Sequence, residues 1–291
     1  MSSDHNDLSE TYILLLLSDS NLPTGAFVAS SGLESYVKHG FPSPASSPES
    51  ATIDFVRDSL ASYARTALPF VSDAHRAVEE YALFQAQDGN QGEAGKGGGG
   101  LDGILKTLTD LDELYQAMTL NHVARRASMS QGVSLLTLYL KGFSRPPSQP
   151  VFSDAKSQDH EARTRTLFDK FKLKVRREEV SGHLPVCWGA LTAALGLALE
   201  RSQYLHLFLH ARSLLSASVR LNDLGPYGAQ QILLHIVQPL VAAEVTKCQN
   251  LRTGLLDSVF DEVSMGPANT WPLGEILAGR HDLQHSRIFN S

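Results

Sequence analysis

One segment, Leu184–Leu199, constrains the fold of this chain more than any other. It contains the letters CWGALTAALGLAL, which are apolar on most sides of a helix, so it has to be buried among other elements. Helical periodicity also appears at 54–67, 111–139, 204–219 and 226–247, whereas alternating β-branched runs bounded by turns do not recur. The sequence therefore predicts an all-α fold of about ten helices.

The glycines and prolines predict where these helices weaken. Gly132 is the one weak point in the predicted helix 111–139. Pro226 suits the first turn of the last long helix, because its missing N–H would be unpaired there in any case. Pro239 lies inside the same helix and predicts a kink.

Three segments interrupt the helical pattern without dividing the chain. Residues 41–50 are rich in Pro and Ser, 88–103 contain GNQGEAGKGGGG, and 144–160 form a polar stretch with three prolines. Such compositions predict flexible surface loops. Because helical character resumes after each loop, we expect residues 1–291 to form a single helical domain.

Composition excludes several classes of function. The net charge of −6 provides no basic excess for binding nucleic acid. Cys187 and Cys248 are far apart and surrounded by apolar residues, which predicts neither a disulfide framework nor a thiolate zinc site. The apolar run Leu14–Leu17 is too short to span a bilayer, and acidic residues precede it. We expect a soluble, cytoplasmic protein that does not bind membranes.

Common catalytic motifs are also missing from the sequence. The glycine tract around Lys96 lacks the Ser or Thr that a phosphate loop places after its lysine, since Gly97 follows. His206/His210 and His281/His285 each have the i, i+4 spacing that can place two imidazoles on one metal ion, but no HExxH arrangement accompanies them. Chance pairing on a helix is the more economical interpretation of both pairs.

The segment 14–34, LLLLSDSNLPTGAFVASSGLE, combines a turn with a helix start. Ser31 and Glu34 have the S-x-x-E spacing of a capping box, which predicts mutual bonding of each side chain to the other's backbone N–H. Gly40 would then stop the helix that begins there. Gly25 is predicted to take a φ in the turn at residues 23–25 that is unfavourable for residues with a Cβ atom. The Asp19 carboxylate is predicted to accept hydrogen bonds from backbone N–H groups of the turn.

Two polar stretches later in the chain are open to more than one interpretation. In Arg220–Gly225, the glycine suggests that a helix ends there. The arginine could donate hydrogen bonds to the last carbonyl groups of that helix. Either a capped helix junction or a partner surface fits this pattern. The tail 281–289 carries two apolar residues beside Arg287, which fits a docking segment as well as a frayed end.

Four blocks, in order, resemble the UreF family of urease accessory proteins. They are LLLLSDSNLPTGAFVASSGLE, then LTDLDELYQAMTLNHVARRASMSQGVSLL, then GHLPVCWGALTAALGL with SASVRLNDLG, and finally RHDLQHSRIF. Pro226-Tyr227 in place of Gln-Thr, Ala26 in place of a second glycine, and the glycine-rich insertion resemble a eukaryotic version of the family, such as a fungal one.

The resemblance implies a non-catalytic, all-α dimer with no cofactor or tightly bound metal of its own. UreF proteins bind the accessory protein UreD, called UreH in some bacteria, and the pair recruits the nickel-carrying GTPase UreG. The assembly docks on apo-urease and delivers nickel, with UreF thought to line part of the nickel route and to regulate GTP hydrolysis by UreG.

Motif matching gives candidate partner-binding residues. In relatives the tail arginine orders the C-terminal segment in the partner-bound form, which makes Arg287 the foremost candidate. The full set of candidates is Arg287, His281, Gln284, Ser286, Arg220, Gly225, Gly25 and Glu34. Two alternatives remain at this stage: a generic helical adaptor unrelated to urease, and a metal-dependent helical enzyme that uses one of the histidine pairs.

Overall fold

The computed structural model describes residues 2–39, 46–83, 100–145, 155–257 and 259–291. Those residues form helices and no strands, which confirms the predicted all-α class. The α-helices are α1 Ser2–Leu17, α2 Leu33–Lys38, α3 Pro48–Leu83, α4 Leu101–Met118, α5 His122–Leu138, α6 Ala155–Arg176, α7 Leu184–Ala194, α8 Leu199–Arg220, α9 Pro226–Ile232, α10 Gln238–Cys248, α11 Glu262–Met265 and α12 Pro272–Gly279. None of these helices is both long and apolar enough to cross a bilayer.

The long helix α3 organises the core. Its C-terminal half packs, through residues such as Phe70, with α4, α6 and α7. Its N-terminal half packs, through Leu60, with α8, α10 and α12. Residues 185–194 of α7 are all buried, as the apolar run predicted. Because one helix belongs to both clusters, the described residues form one compact unit; that all of 1–291 is a single domain stays a prediction.

The predicted helix 111–139 is two helices, and its weak point lies elsewhere. The break is at 119–121, where the Asn121 side chain caps α5 by accepting from the Val123 and Ala124 amides. Gly132 lies inside α5, where a Cβ atom would come within 2.1 Å of the Gly182 carbonyl oxygen. This glycine therefore allows the close approach of α5 to the chain before α7.

Loop boundaries differ from those predicted. Helix α3 already begins at Pro48, α4 includes 101–103, and α6 includes 155–160. The remainder of the three predicted loops, except 46–47, 100 and 144–145, lies outside the described residues, as does Gly40. Pro226 does open α9, and the disruption predicted from Pro239 takes the form of a π-helical turn at Leu233–Val237 that joins α9 to α10.

A buried carboxylate fixes the chain that leads into α7. Asp112 of α4 is fully buried and accepts from the backbone amides of Ser181, Gly182 and His183 at 2.7, 3.0 and 2.6 Å. The ring of His183 then bonds to Ser128 and Gln116, and burial lowers its pKa. One side chain thus holds three otherwise unpaired donors against the core.

We expect Asp112→Ala to destabilise the protein by about 3 kcal/mol, because three buried amides lose a charged acceptor. The matched control is Asp110→Ala on the same helix, where the carboxylate pairs with Lys106 in solvent and contributes little to stability. Urea denaturation of both variants measures the difference. Equal losses would contradict the role assigned to Asp112.

Candidate functional site

The C-terminal residues 284–291, here named the strap, lie across the segment 28–38. The Asn290 amide donates to the Val28 carbonyl at 2.9 Å, and the Ser30 amide donates to the Ser291 carbonyl. Lys38 Nζ donates to the Ser286 carbonyl. The strap is therefore fixed to the segment 28–38, and the frayed-tail interpretation is wrong.

The centre of this contact is Glu34, and it does not form the predicted capping box. Its carboxylate is fully buried and accepts from the Ile288 amide at 2.8 Å and the Phe289 amide at 3.2 Å. Lys38 Nζ lies 2.8 Å from the same carboxylate. Ser31 and Gly32 have φ of 49° and 88°, so Gly32 precedes α2 without any side-chain cap. The carboxylate instead satisfies donors about 250 positions away in sequence.

The electrostatics of Glu34 fit this role. Burial alone would raise the pKa of the carboxyl group. Hydrogen bonds from Lys38 and from the Ile288 and Phe289 amides outweigh burial and hold the pKa below its ordinary value. The Glu34 side chain is thus a carboxylate anion, and its oxygens accept hydrogen bonds from the strap amides.

A second anchor is Asp282, in the 3₁₀ turn before the strap. Its carboxylate accepts from Arg126 of α5 at 3.0 and 3.2 Å, from Arg287 at 2.6 Å, and pairs with His122 at 2.9 Å. The Arg126 guanidinium is the main cause of a strongly lowered pKa for Asp282. Arg126 also donates to the Asn290 carbonyl at 2.9 Å, so α5 holds both the turn before the strap and the strap itself at Asn290.

Arg220 joins the strap to the N-terminal segment. Its guanidinium carbon lies 3.9 Å from the centre of the Phe27 ring and 4.2 Å from that of Phe289. It also reaches the Ser216 carbonyl in its own last turn at 3.4 Å, as predicted for a cation at a helix end. Burial lowers the pKa of Arg220.

The remaining candidates have different placements. Gly25 takes φ of 74°, which confirms the predicted turn, and Asp19 Oδ1 accepts from the Asn21 amide at 2.8 Å. Gly225 is not the helix stop: Asn222 takes the left-handed conformation at φ 65°, while Gly225 has φ of −75° immediately before α9. A Cβ atom at Gly25 would meet side chains of α5 such as Ser130, and one at Gly225 would meet open space, so neither glycine faces the strap.

The polar residues of the tail contribute in three ways. His281 is fully buried and its Nε2 donates to the Phe289 carbonyl at 3.2 Å. Burial lowers the His281 pKa despite the nearby Glu34 carboxylate. Gln284 points its amide inward, and Ser286 contributes its carbonyl to Lys38.

A cavity of about 250 Å³ lies beneath the N-terminal segment, between α3, α5 and α8. His206 and His210 line it, and their Nε2 atoms bond to Tyr63 Oη at 2.9 Å and Ser59 Oγ at 3.0 Å. Burial lowers their pKa values to about 3 and about 4. Within the described ranges no three His, Cys, Asp or Glu side chains are grouped to hold a metal ion. The pair therefore links α8 to α3 as neutral imidazoles.

Sequence reasoning missed several residues of this site, namely Lys38, Phe27, His122, Arg126 and Asp282. Each of them has a contact that joins distant positions, from 156 residues apart for Arg126 with Asp282 to 248 for Lys38 with Ser286. No local pattern marks such pairs. Two local signals were available: the i, i+4 spacing of Glu34 and Lys38, and the adjacent arginines 125–126 in a helix that resembles the family's arginine-rich block.

Comparisons with known proteins point to one family. The profile of the family described as UreF matches residues 47–237. The chain is 39% identical to urease accessory protein 6 of Cryptococcus neoformans var. grubii, over 100% of both chains. It is 29% identical to a UreF-like urease accessory protein of Schizosaccharomyces pombe, over 97% of this chain and 98% of that one. It is 27% identical to urease accessory protein F of Arabidopsis thaliana, over 94% of this chain and 90% of that one.

The fold and the site define an all-α protein whose C-terminal strap is fixed to its surface by a buried carboxylate. The resemblance seen in the four sequence blocks is confirmed by the profile match and the full-length relative. The chain belongs to the UreF family.

We expect Glu34→Ala to release the strap, because two strap amides and Lys38 lose their shared acceptor. Trypsin should then cleave after Arg287 at least about tenfold faster, with peptide 288–291 quantified by mass spectrometry. Glu49→Ala, an exposed carboxylate in the first turn of α3, is the control. Unchanged cleavage in Glu34→Ala would show that the strap is held by other contacts.

Proposed function

We propose that this chain is a non-catalytic urease maturation factor that binds UreD, recruits UreG through that pair, and helps deliver nickel to apo-urease. The observation that carries the proposal is the ordered strap of a UreF-family chain. Its backbone is held from inside by Glu34, while the Ile288 side chain on its outer side is exposed.

The outward side of the strap fits a protein partner. The Ile288 amide is bound to Glu34, yet its side chain is 56% exposed. Leu283, just before the strap, is 68% exposed, and Ile276 on the adjoining helix α12 is 58% exposed. Apolar side chains presented on a fixed backbone lose little conformational entropy on binding. We assign this surface to UreD, with Arg287 at its edge.

The nucleotide and nickel chemistry belong to other members of the proposed assembly. Because the sequence contains no phosphate-loop motif, UreG would supply GTP hydrolysis and this chain would regulate it by contact. Nickel would be cargo of the complex, and the chain would need no cofactor. The cavity bordered by Tyr63, His206 and His210 is the part of this chain we assign to the nickel route.

The metal-dependent enzyme is the weaker alternative. A metal ion bound by His206 and His210 through their Nε2 atoms would have to displace the hydrogen bonds to Tyr63 and Ser59. A generic helical adaptor would leave urease activity intact when the gene is deleted.

We also propose a cytoplasmic location and a homodimer as the working state.

Complementation tests the function directly. Cells lacking their own UreF should regain urease activity when they express this chain together with its cognate UreD and UreG. Restored activity with unchanged protein levels of urease supports a maturation role. Absence of restoration, with the chain expressed and folded, would contradict it.

We expect Arg287→Ala to weaken UreD binding about tenfold while the fold stays intact. Arg287 pairs with Asp282 at the surface, where one ion pair is worth under about 1 kcal/mol of folding stability. At the same time, its loss frees the edge of the strap that UreD is proposed to bind. Titration calorimetry with UreD measures the change, and Arg57→Ala, an exposed arginine paired within α3, is the control. Wild-type affinity in Arg287→Ala would refute this assignment.

A further inference from the structure

The chain between α10 and α12 forms a closed surface loop, here named the acidic loop, which the structure describes at residues 252–257 and 259–265. Its two ends meet where the Arg252 amide donates to the Met265 carbonyl at 3.0 Å. Surface loops whose ends are joined in this way often carry function, because a rigid scaffold positions them. The acidic loop is therefore a place to look for a binding surface.

A buried carboxylate of α3 fixes the start of the acidic loop. Asp73 is 1% exposed, and its Oδ2 accepts from the Thr253 amide at 2.8 Å and from Thr253 Oγ1 at 2.6 Å. Gly254 takes φ of 81°, and a Cβ atom there would lie only 2.4 Å from the Phe260 ring, so the two halves of the loop are in direct contact. The Asp261 side chain caps α11. The loop backbone is thus held in one conformation from inside the protein.

Four apolar side chains of this fixed backbone are exposed. Leu255 and Leu256 are 47% and 42% exposed, and Val259 and Val263 are 87% and 86% exposed. Neither hydrophobic core cluster of the described residues includes any of them. Single exposed apolar residues need no explanation, but several in one short loop are typical of a surface that binds another molecule.

The exposed charges of the acidic loop have one sign. Asp257, Asp261 and Glu262 are all exposed, and residues 253–279 contain no Lys or Arg. Arg252, at the start of the loop, is only 6% exposed, and its guanidinium donates to two backbone carbonyls that follow α10. The loop therefore presents carboxylates beside apolar side chains, without a neighbouring cation in the sequence to neutralise them.

We propose that the acidic loop is a docking surface for a basic amphipathic helix of a partner protein. The apolar side of such a helix would remove Val259 and Val263 from water, and its Lys or Arg side chains would pair with the three carboxylates. Because the loop is already fixed, little conformational entropy is lost on binding. An anionic membrane surface does not fit, since the carboxylates would face lipid headgroups of the same charge. The inference goes beyond the proposed function, which assigns UreD to the strap.

The test is fluorescence anisotropy of a labelled helical peptide of Leu and Lys, about 18 residues or five turns long, titrated with the purified full chain. Wild type should bind this peptide, with an affinity that falls as salt is raised. A peptide with Glu in place of Lys should not bind, because its charge has the same sign as the loop.

Two double variants separate the apolar part of the surface from the charged part. Val259→Ser with Val263→Ser should raise the dissociation constant by more than about tenfold, because the apolar contact is lost. Asp257→Asn with Glu262→Gln should raise it about fivefold and make it less sensitive to salt. All four side chains are exposed, so circular dichroism melting should be unchanged.

Matched controls change the same properties elsewhere on the surface. Leu83→Ser removes another exposed apolar side chain, at the end of α3, and Glu49→Gln with Asp102→Asn removes two other exposed carboxylates. Both controls should bind the Leu–Lys peptide as wild type does. Three outcomes would overturn the inference: a wild type that does not bind, loop variants that bind with wild-type affinity, or controls that lose as much affinity as the loop variants.

Discussion

The buried carboxylate of Glu34 is the interaction on which the surface of this protein depends. An unpaired carboxylate in that position would be costly, and the Ile288 and Phe289 amides together with Lys38 satisfy it. The requirement is reciprocal, because the two strap amides would otherwise be unpaired against the core. The hydrogen bonds of α2 and those of the strap are therefore satisfied only when the two segments are in contact. This contact holds the strap in one conformation on the surface.

Three other contacts act on the same segment from different helices. Asp282 is held by Arg126 of α5, the Phe289 ring is buried in the cluster of α3, α8 and α12, and Arg220 covers that ring from the end of α8. The strap is thus coupled to α5 and α8 through its contacts with these helices. Under the proposed function, a partner bound to the strap would favour one arrangement of α5 and α8, and a movement of either helix would change the position of the strap.

Much of the fold follows from the sequence, since helical periodicity and the apolar run at 184–199 are local signals. The candidate site follows only in part. Ser31 and Glu34 matched a capping box in spacing, but positive φ at Ser31 and Gly32 removes the extended N-cap conformation that the motif needs, and the distant strap takes the carboxylate. Gly225 failed as a helix stop because Asn222 can also adopt the left-handed conformation. Long-range partners such as Arg126 and Asp282 leave no pattern in a single sequence.

The central claim, that the free chain holds its own strap through Glu34, is tested most directly by amide hydrogen exchange at Ile288 and Phe289. Bonding to a buried carboxylate predicts that both amides exchange at least about a hundredfold more slowly than in an unstructured peptide of the same sequence. The amide of Arg287, the residue immediately before Ile288, serves as an internal reference. Exchange of Ile288 and Phe289 at the rates of the unstructured peptide would contradict the claim.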